Sequence, residues 1–72
     1  MIHESRMTDY KSRMLEAKEL AAVHDCKYYV YDTGDSYQVS CTRSYDYKMV
    51  GEVWPGGRMV AHGLMRTGGI LR

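Results

Sequence analysis

Two cysteines and three histidines are the side chains of this sequence best suited to bind a metal or to act as a nucleophile with its base. Cys26 lies two residues after His24, whereas Cys41 and His62 are distant in the chain. Zinc prefers such ligands, but they usually come in close pairs such as C-x₂-C or H-x₃-H, and neither occurs here. A glycine-framed nucleophile is also missing. We therefore expect no metal, no cofactor and no catalytic cysteine.

Other patterns that could support catalysis are equally weak. Asp32 and Asp35 flank a short turn, where aspartate commonly serves backbone geometry rather than acid–base chemistry. Two glycine-rich segments, at 54–58 and 66–69, match neither G-x-G-x-x-G nor a Walker A loop. A chain of 72 residues also leaves little room for a small-molecule pocket of about 300 Å³. These observations favour a protein that is not an enzyme.

Aromatic side chains give the strongest functional signal. The chain has seven tyrosines and one tryptophan but no phenylalanine. Tyrosine can pack its ring while its hydroxyl stays in water, and tyrosine, tryptophan, methionine and arginine are enriched at protein interfaces. The composition therefore predicts a surface that binds a protein partner. The competing interpretation is that tyrosine serves solvated strands through its β-propensity.

The first third of the sequence predicts a helix. Residues from Thr8 to about Val23 follow the helical period, with Thr8 as N-cap and Asp9 paired to Arg13. The opposite side of this helix is polar. The predicted apolar stripe consists of Met7, Tyr10, Met14, Leu15, Ala17, Ala21 and Ala22.

Strands follow the helix, because the later segments alternate or are rich in aromatic and β-branched residues. We predict strands at 27–31, 36–42, 48–54 and 58–62, turns at 32–35 and 55–57, and a polar connection at 43–47. In the second strand, Tyr37, Val39 and Cys41 are expected to face inward. The prediction is an α+β fold with one N-terminal amphipathic helix packed on a three- or four-stranded antiparallel meander. Residues 1–72 form a single domain, with 63–72 as a flexible glycine-rich tail.

One helix covers only one face of a sheet. In the first strand, Tyr29 and Tyr31 share one face, and Tyr28 and Val30 share the other. Apolar residues on both faces therefore predict an uncovered aromatic patch. We predict that its contact anchors are Tyr28, Tyr31, Tyr45, Tyr47 and Trp54, with Arg43 and Arg58 at the rim. The related alternative to a separate partner is self-association, through this patch or through an open sheet edge.

Charge and hydropathy restrict the compartment and the partner. The formal net charge is +1, no apolar run approaches the roughly 18 residues of a membrane span, and the N-terminus lacks the apolar region of a secretory signal. Two cysteines are too few for a disulfide scaffold, so we expect a reducing, cytoplasmic setting. The alternative function is binding of single-stranded nucleic acid or regulation of transcription, with sheet aromatics stacking on bases and arginines meeting phosphates.

The helix segment EAKELA, from Glu16 to Ala21, and the tyrosine-rich strands together resemble small bacteriophage accessory proteins. That class includes anti-CRISPR proteins and inhibitors of host polymerases or nucleases. The resemblance is one of style and assigns no role to a particular residue. It implies a non-enzymatic inhibitor that binds a host complex such as CRISPR–Cas in the host cytoplasm. The charge of +1 does not fit a DNA mimic, which would be strongly acidic.

Overall fold

The computed structural model describes residues 2–62, with side chains from Thr8 onward. A helix, α1 (Ile2–His24), precedes four strands: β1 (Tyr28–Asp32), β2 (Tyr37–Ser40), β3 (Lys48–Val53) and β4 (Met59–Ala61). The strands form one antiparallel sheet, and α1 packs on it. The predicted α+β fold is confirmed. The predicted flexible tail, residues 63–72, lies outside the described residues.

The strand order is β2-β1-β3-β4, which differs from a meander. β3 pairs with β1 rather than with β2, so the meander order is wrong although the four antiparallel strands are correct. Because β2 and β3 are both antiparallel to β1, they run in the same direction. Strands that run in the same direction cannot be joined by a tight hairpin. Residues 41–47, which we call the crossing connection, therefore return across β1.

The buried side of α1 is narrower than the predicted stripe. Leu15 is 59% exposed and Ala22 is also exposed, so both were wrongly placed in the core. Alanines at two of the buried positions have no side chain beyond Cβ, so the helix can lie close to the sheet, and the partly buried Leu20 also packs against the core. The buried helix residues follow the 3.6-residue period: Tyr10, Met14, Ala17 and Ala21.

The start of α1 also differs from the prediction. The helix begins at Ile2, so Thr8 lies within it and does not cap it. The expected pairing of charges on its surface is confirmed, since Arg13 Nε lies 3.8 Å from Asp9 Oδ1 and Arg13 also pairs with Glu16. Such exposed pairs stabilise a helix only slightly.

A left-handed residue ends α1. Asp25 has a φ of +54°, and the amide of Cys26 donates a hydrogen bond to the carbonyl oxygen of Ala21 at 3.2 Å. This bond, from the second residue after the helix to the third residue before its C-cap, is that of a Schellman motif. Glycine is the usual residue at the left-handed position, because a Cβ makes this conformation costly.

Replacing Asp25 with glycine is therefore expected to raise the free energy of unfolding by roughly 0.5–1 kcal/mol. Urea denaturation followed by circular dichroism measures the change. Asp25→Ala serves as the matched control and is expected to be no more stable than the original protein. A loss of stability in Asp25→Gly would contradict the role assigned to this position.

The core contains one long-range hydrogen bond from the helix to the sheet. Tyr10 donates its hydroxyl to the carbonyl oxygen of Val50 at 2.7 Å, and its ring meets that of Tyr37 edge-on at 5.5 Å. Burial raises the pKa of Tyr10, and the nearby Tyr37 adds to the increase. Val50 is the extra residue of a β-bulge, since Val30 and Tyr31 pair with Gly51 and Met49 respectively. The bulge directs the Val50 side chain into the core.

Candidate functional site

The two faces of the sheet carry different side chains. The inner face packs on α1 and belongs to the main hydrophobic core. The outer face is the opposite one, where Tyr29 lies directly across from Glu52 and Tyr31 lies across from Met49. Since side chains alternate along a strand, Tyr29 and Tyr31 share the outer face, as the sequence predicted. The inner-face residues are Tyr28, Val30, Tyr37, Val39, Val50 and Val53.

Two of the predicted contact anchors are buried, and their assignment was wrong. Tyr28 is 9% exposed and lies in the core beneath α1. Tyr31 is 1% exposed, although it belongs to the outer face, because the crossing connection covers it. The Tyr31 hydroxyl donates to the carbonyl of Thr42 at 3.1 Å and accepts from the amide of Ser44 at 2.6 Å. Strand periodicity did not indicate that a loop covers part of the second face.

Three aromatic rings and three cations alternate over the outer face. Arg43 lies 4.5 Å from the ring centre of Tyr45 and 5.9 Å from that of Tyr29. Lys27 lies 5.0 Å from Tyr29 and 4.3 Å from Trp54, and Arg58 lies 4.9 Å from Trp54. All five distances are within the range of cation–π attraction. We call this array the ring–cation row, in the order Tyr45, Arg43, Tyr29, Lys27, Trp54 and Arg58.

A tight turn positions the Trp54 end of the row. The amide of Gly57 donates to the carbonyl of Trp54, and the amide of Trp54 donates to the carbonyl of Arg58, both at 2.9 Å. Pro55 presets the first turn dihedral, and Gly57 adopts a φ of +99°, which other residues rarely tolerate. Trp54 and Arg58 therefore close the β3–β4 hairpin as neighbours. Local sequence alone brings this ring and this cation together.

The crossing connection positions the Tyr45 end of the row. Arg43 donates from Nη1 to the carbonyl of Ser44 at 2.9 Å, and the Ser44 hydroxyl accepts from the amide of Asp46 at 3.2 Å. The amide of Ser44 is itself tied to the Tyr31 hydroxyl. The buried ring of Tyr31 thus anchors the segment from which Arg43 and Tyr45 project. Tyr45 is 84% exposed.

A carboxylate holds the central cation in place. Lys27 Nζ lies 2.6 Å from Glu52 Oε1, and His62 Nε2 lies 2.7 Å from Glu52 Oε2. A carboxylate oxygen only accepts, so the His62 ring carries its proton on Nε2 here. The hydrogen bond from Lys27 is the main reason that the pKa of Glu52 lies below its ordinary value; His62 adds to this effect, and burial opposes it. Lys27 is therefore neutralised within the row.

The lowered pKa of Glu52 predicts a pH dependence of stability. The ionised carboxylate stabilises the fold above its ordinary pKa of 4.5, and this stabilisation is lost as the pH falls through the lower folded value. Urea unfolding at a series of pH values measures the effect in the original protein and in Glu52→Gln. The two curves should converge at acidic pH. Glu19→Gln, an exposed change on α1, is the matched control and should run parallel to the original protein; parallel behaviour of Glu52→Gln would contradict the prediction.

The two arginines of the row differ from Lys27 in their charge environment. Within residues 8–62, no carboxylate lies within ion-pair distance of Arg43 or Arg58. Both guanidinium groups are exposed, and each lies at or near one end of the row. The outer face thus carries an uncompensated positive charge towards each end and a neutral Lys27–Glu52 pair between them.

The structure brings together part of the predicted set of contact residues. Tyr45, Trp54, Arg43 and Arg58 all belong to the row, whereas Tyr47 is 45% exposed and makes no ring or cation contact with it among the described residues. Two members were missed, Tyr29 and Lys27. The available signal was the strand period, which places Lys27 on the face of Tyr29, two residues away. The contact of Lys27 with Trp54 depends on the pairing of β1 with β3, which no local pattern in the sequence indicated.

The residues considered for metal or thiol chemistry are dispersed. Cys26 is half-buried against the core, and Cys41 is exposed, contrary to its predicted inward position, because β2 ends at Ser40. Burial raises the pKa of Tyr28, with Cys41 and then Cys26 adding smaller effects. No group of three His, Cys, Asp or Glu side chains within the described part of the chain could hold a metal ion.

Comparison with protein-family models, with curated proteins and with solved structures finds no match to this chain. The geometry of the outer face is therefore the basis for assigning a function. In the described range, 2–62, α1 is not apolar enough over a sufficient length to cross a bilayer.

Proposed function

We propose that this protein is a non-enzymatic binding domain that holds a protein partner against the ring–cation row in a fixed stoichiometry. The observation that carries the proposal is the alternation of three rings with three cations on the sheet face that α1 does not cover. Tyrosine, tryptophan and arginine are the residues that most often dominate binding energy at protein interfaces. Here they are already aligned on a folded surface.

The energetics of the fold support this interpretation. Each exposed cation–π contact contributes only about 0.5–1 kcal/mol, and the members of the row lie outside the main hydrophobic core. The core of α1 and the inner sheet face does not depend on these side chains. A pre-aligned surface also loses less conformational entropy when a partner binds, which favours affinity. The row is thus better explained by recognition than by stability.

Affinity capture with matched variants tests the proposal. The tagged protein is expressed in its native host, and bound proteins are identified by mass spectrometry, with the stoichiometry measured by light scattering after chromatography. Trp54→Ala combined with Tyr45→Ala should abolish capture of the partner. Leu15→Ala combined with Val23→Ala, which removes exposed apolar side chains from α1, should leave it intact. Loss of the partner in the α1 variant alone would refute the assignment to the row.

Binding of single-stranded nucleic acid is the second candidate, because aromatic rings on a sheet can stack on bases while cations meet phosphates. It predicts that an oligothymidylate binds with an affinity that falls steeply as salt is raised. Arg43→Glu with Arg58→Glu should abolish that binding. Absence of oligothymidylate binding in a titration at low salt would eliminate this candidate.

A more specific form of the main proposal is inhibition of a host complex such as CRISPR–Cas, in keeping with the resemblance to small phage proteins. The protein would act in the cytoplasm by covering a working surface of that complex. Co-expression with an active interference system should then restore plaque formation by a targeted phage. Trp54→Ala with Tyr45→Ala should remove the protection.

Sedimentation of the purified protein tests self-association through the same surface.

A further inference from the structure

We propose that the partner presents an acidic segment whose carboxylates bind Arg43 and Arg58 while an uncharged residue between them contacts the centre of the row. This inference rests on the proposed function and specifies the chemistry of the partner. It follows from three features of the row: how its ring faces are occupied, where its charges are uncompensated, and what lies at its centre.

The ring faces favour recognition of anions over stacking of bases. Tyr29 has both Lys27 and Arg43 within 6 Å of its ring centre, at 5.0 and 5.9 Å. Trp54 has both Lys27 and Arg58 within that range, at 4.3 and 4.9 Å. A nucleobase that stacks on either ring would compete with these cations for the ring face. A carboxylate displaces nothing, because a guanidinium stacked on a ring keeps N–H donors along its edge.

The distribution of charge gives the spacing of the partner's acids. Arg43 and Arg58 have no carboxylate partner within residues 8–62, whereas Lys27 is paired with Glu52 at 2.6 Å. The neutral Lys27–Glu52 pair offers an anion no net attraction at the centre of the row. The surface is therefore complementary to negative charges at two separated points with an uncharged group between them. A single strand of nucleic acid fits less well, because its phosphates recur at every nucleotide.

The chain contains its own reporter for this interaction. Trp54 is the only tryptophan and lies between Lys27 and Arg58, so we expect its fluorescence to respond to a ligand on the row. The probes are a synthetic peptide with two glutamate pairs flanking leucine and an oligothymidylate of the same total charge. At low salt the peptide should change the Trp54 emission in a saturable way and bind more tightly than the oligothymidylate.

Charge-reversal variants locate the binding. Arg43→Glu with Arg58→Glu should weaken peptide binding at least tenfold. Lys11→Glu with Lys18→Glu makes the same change in net charge on the exposed side of α1 and should weaken it less than threefold. Arg58→Gln, a milder change at an exposed site, should show an intermediate loss and guards against misfolding of the double variant. Circular dichroism verifies that each variant is folded.

The outcomes separate the two proposals. Tighter binding of the oligothymidylate than of the peptide would overturn the acidic-segment proposal and favour the nucleic-acid candidate. Absence of peptide binding, together with a captured protein that still requires Trp54, would overturn the acidic segment but leave the proposed function standing. Equal losses in the Arg43/Arg58 and Lys11/Lys18 variants would also overturn it, because binding would then follow net charge and not the row.

Discussion

Replacing Tyr31 with alanine is expected to lower the free energy of unfolding by about 3–5 kcal/mol. The side chain is 1% exposed and fills the space between the outer sheet face and the crossing connection. A domain of this length is typically stable by about 4–11 kcal/mol, so this loss is a large fraction of its total stability. Urea denaturation followed by circular dichroism gives the midpoint and the slope.

The Tyr31 hydroxyl can be tested separately from the ring. Tyr31→Phe keeps the packing but leaves the amide of Ser44 and the carbonyl of Thr42 without their shared partner, which should cost about 1–3 kcal/mol. The amide of Ser44 should also exchange its hydrogen faster, as measured by NMR, because its acceptor is gone. Since Arg43 and Tyr45 flank this amide, the same change should loosen one end of the ring–cation row.

Tyr47→Phe is the matched control for the hydroxyl. Tyr47 belongs to the same connection and is 45% exposed, so this variant should remain within about 0.5 kcal/mol of the original protein. If Tyr31→Phe were as stable as Tyr47→Phe, the hydroxyl would not hold the crossing connection. The role of Tyr31 would then be limited to packing.

The second large effect is expected at Gly51, where the Met14 side chain of α1 packs directly against the sheet. A Cβ at this position would overlap the sulfur of Met14 and lie 3.3 Å from Cβ of Val30. Met14 is buried, and the Val30 contact lies at the base of a side chain that cannot rotate away. Gly51→Ala should therefore destabilise the protein by about 1–3 kcal/mol, and Gly51→Val should do so by more. Thermal and urea denaturation measure both.

A double-mutant cycle identifies the cause. In the background of Met14→Ala, which shortens the opposing side chain, Gly51→Ala should cost at least 1 kcal/mol less than it does alone. Gly56→Ala is the matched control, since a Cβ there meets nothing within 4 Å. An equal cost of Gly51→Ala in both backgrounds would place the strain at Val30 or in the bulge instead of at Met14.

The helix and strands of this protein could be predicted from local residue patterns more closely than the contacts between them. The turn at Gly34 was predictable because its amide bonds to the side chain of Asp32 at 2.8 Å, an interaction set by three consecutive residues. The hairpin at Pro55 was predictable for the same local reason. The exposure of Leu15 was not predictable, because the rotation and closeness of α1 on the sheet decide which of its apolar residues are buried. The start of α1 was missed because Thr8 resembles a cap but lies inside the helix.

The same division applies to the candidate site. Trp54 and Arg58 are joined by their own turn, so residue type and spacing were enough to select them. Lys27 reaches Trp54 only because β3 pairs with β1, and Tyr29 is accessible only because the crossing connection covers Tyr31 and not its neighbour. These are contacts between segments far apart in the chain.

The helix, the strands and their turns could be predicted from residue types and local spacing, because each depends on residues within about one turn or one hairpin. The excess of tyrosine over phenylalanine is visible in the composition. The tertiary structure alone decided the order β2-β1-β3-β4, the burial of Tyr31 and the alignment of rings with cations. These features could not be predicted because the crossing connection covers one part of the outer face and leaves another part exposed. Periodicity assigns a side chain to a face, but only the path of the crossing connection determines which part of that face remains in water.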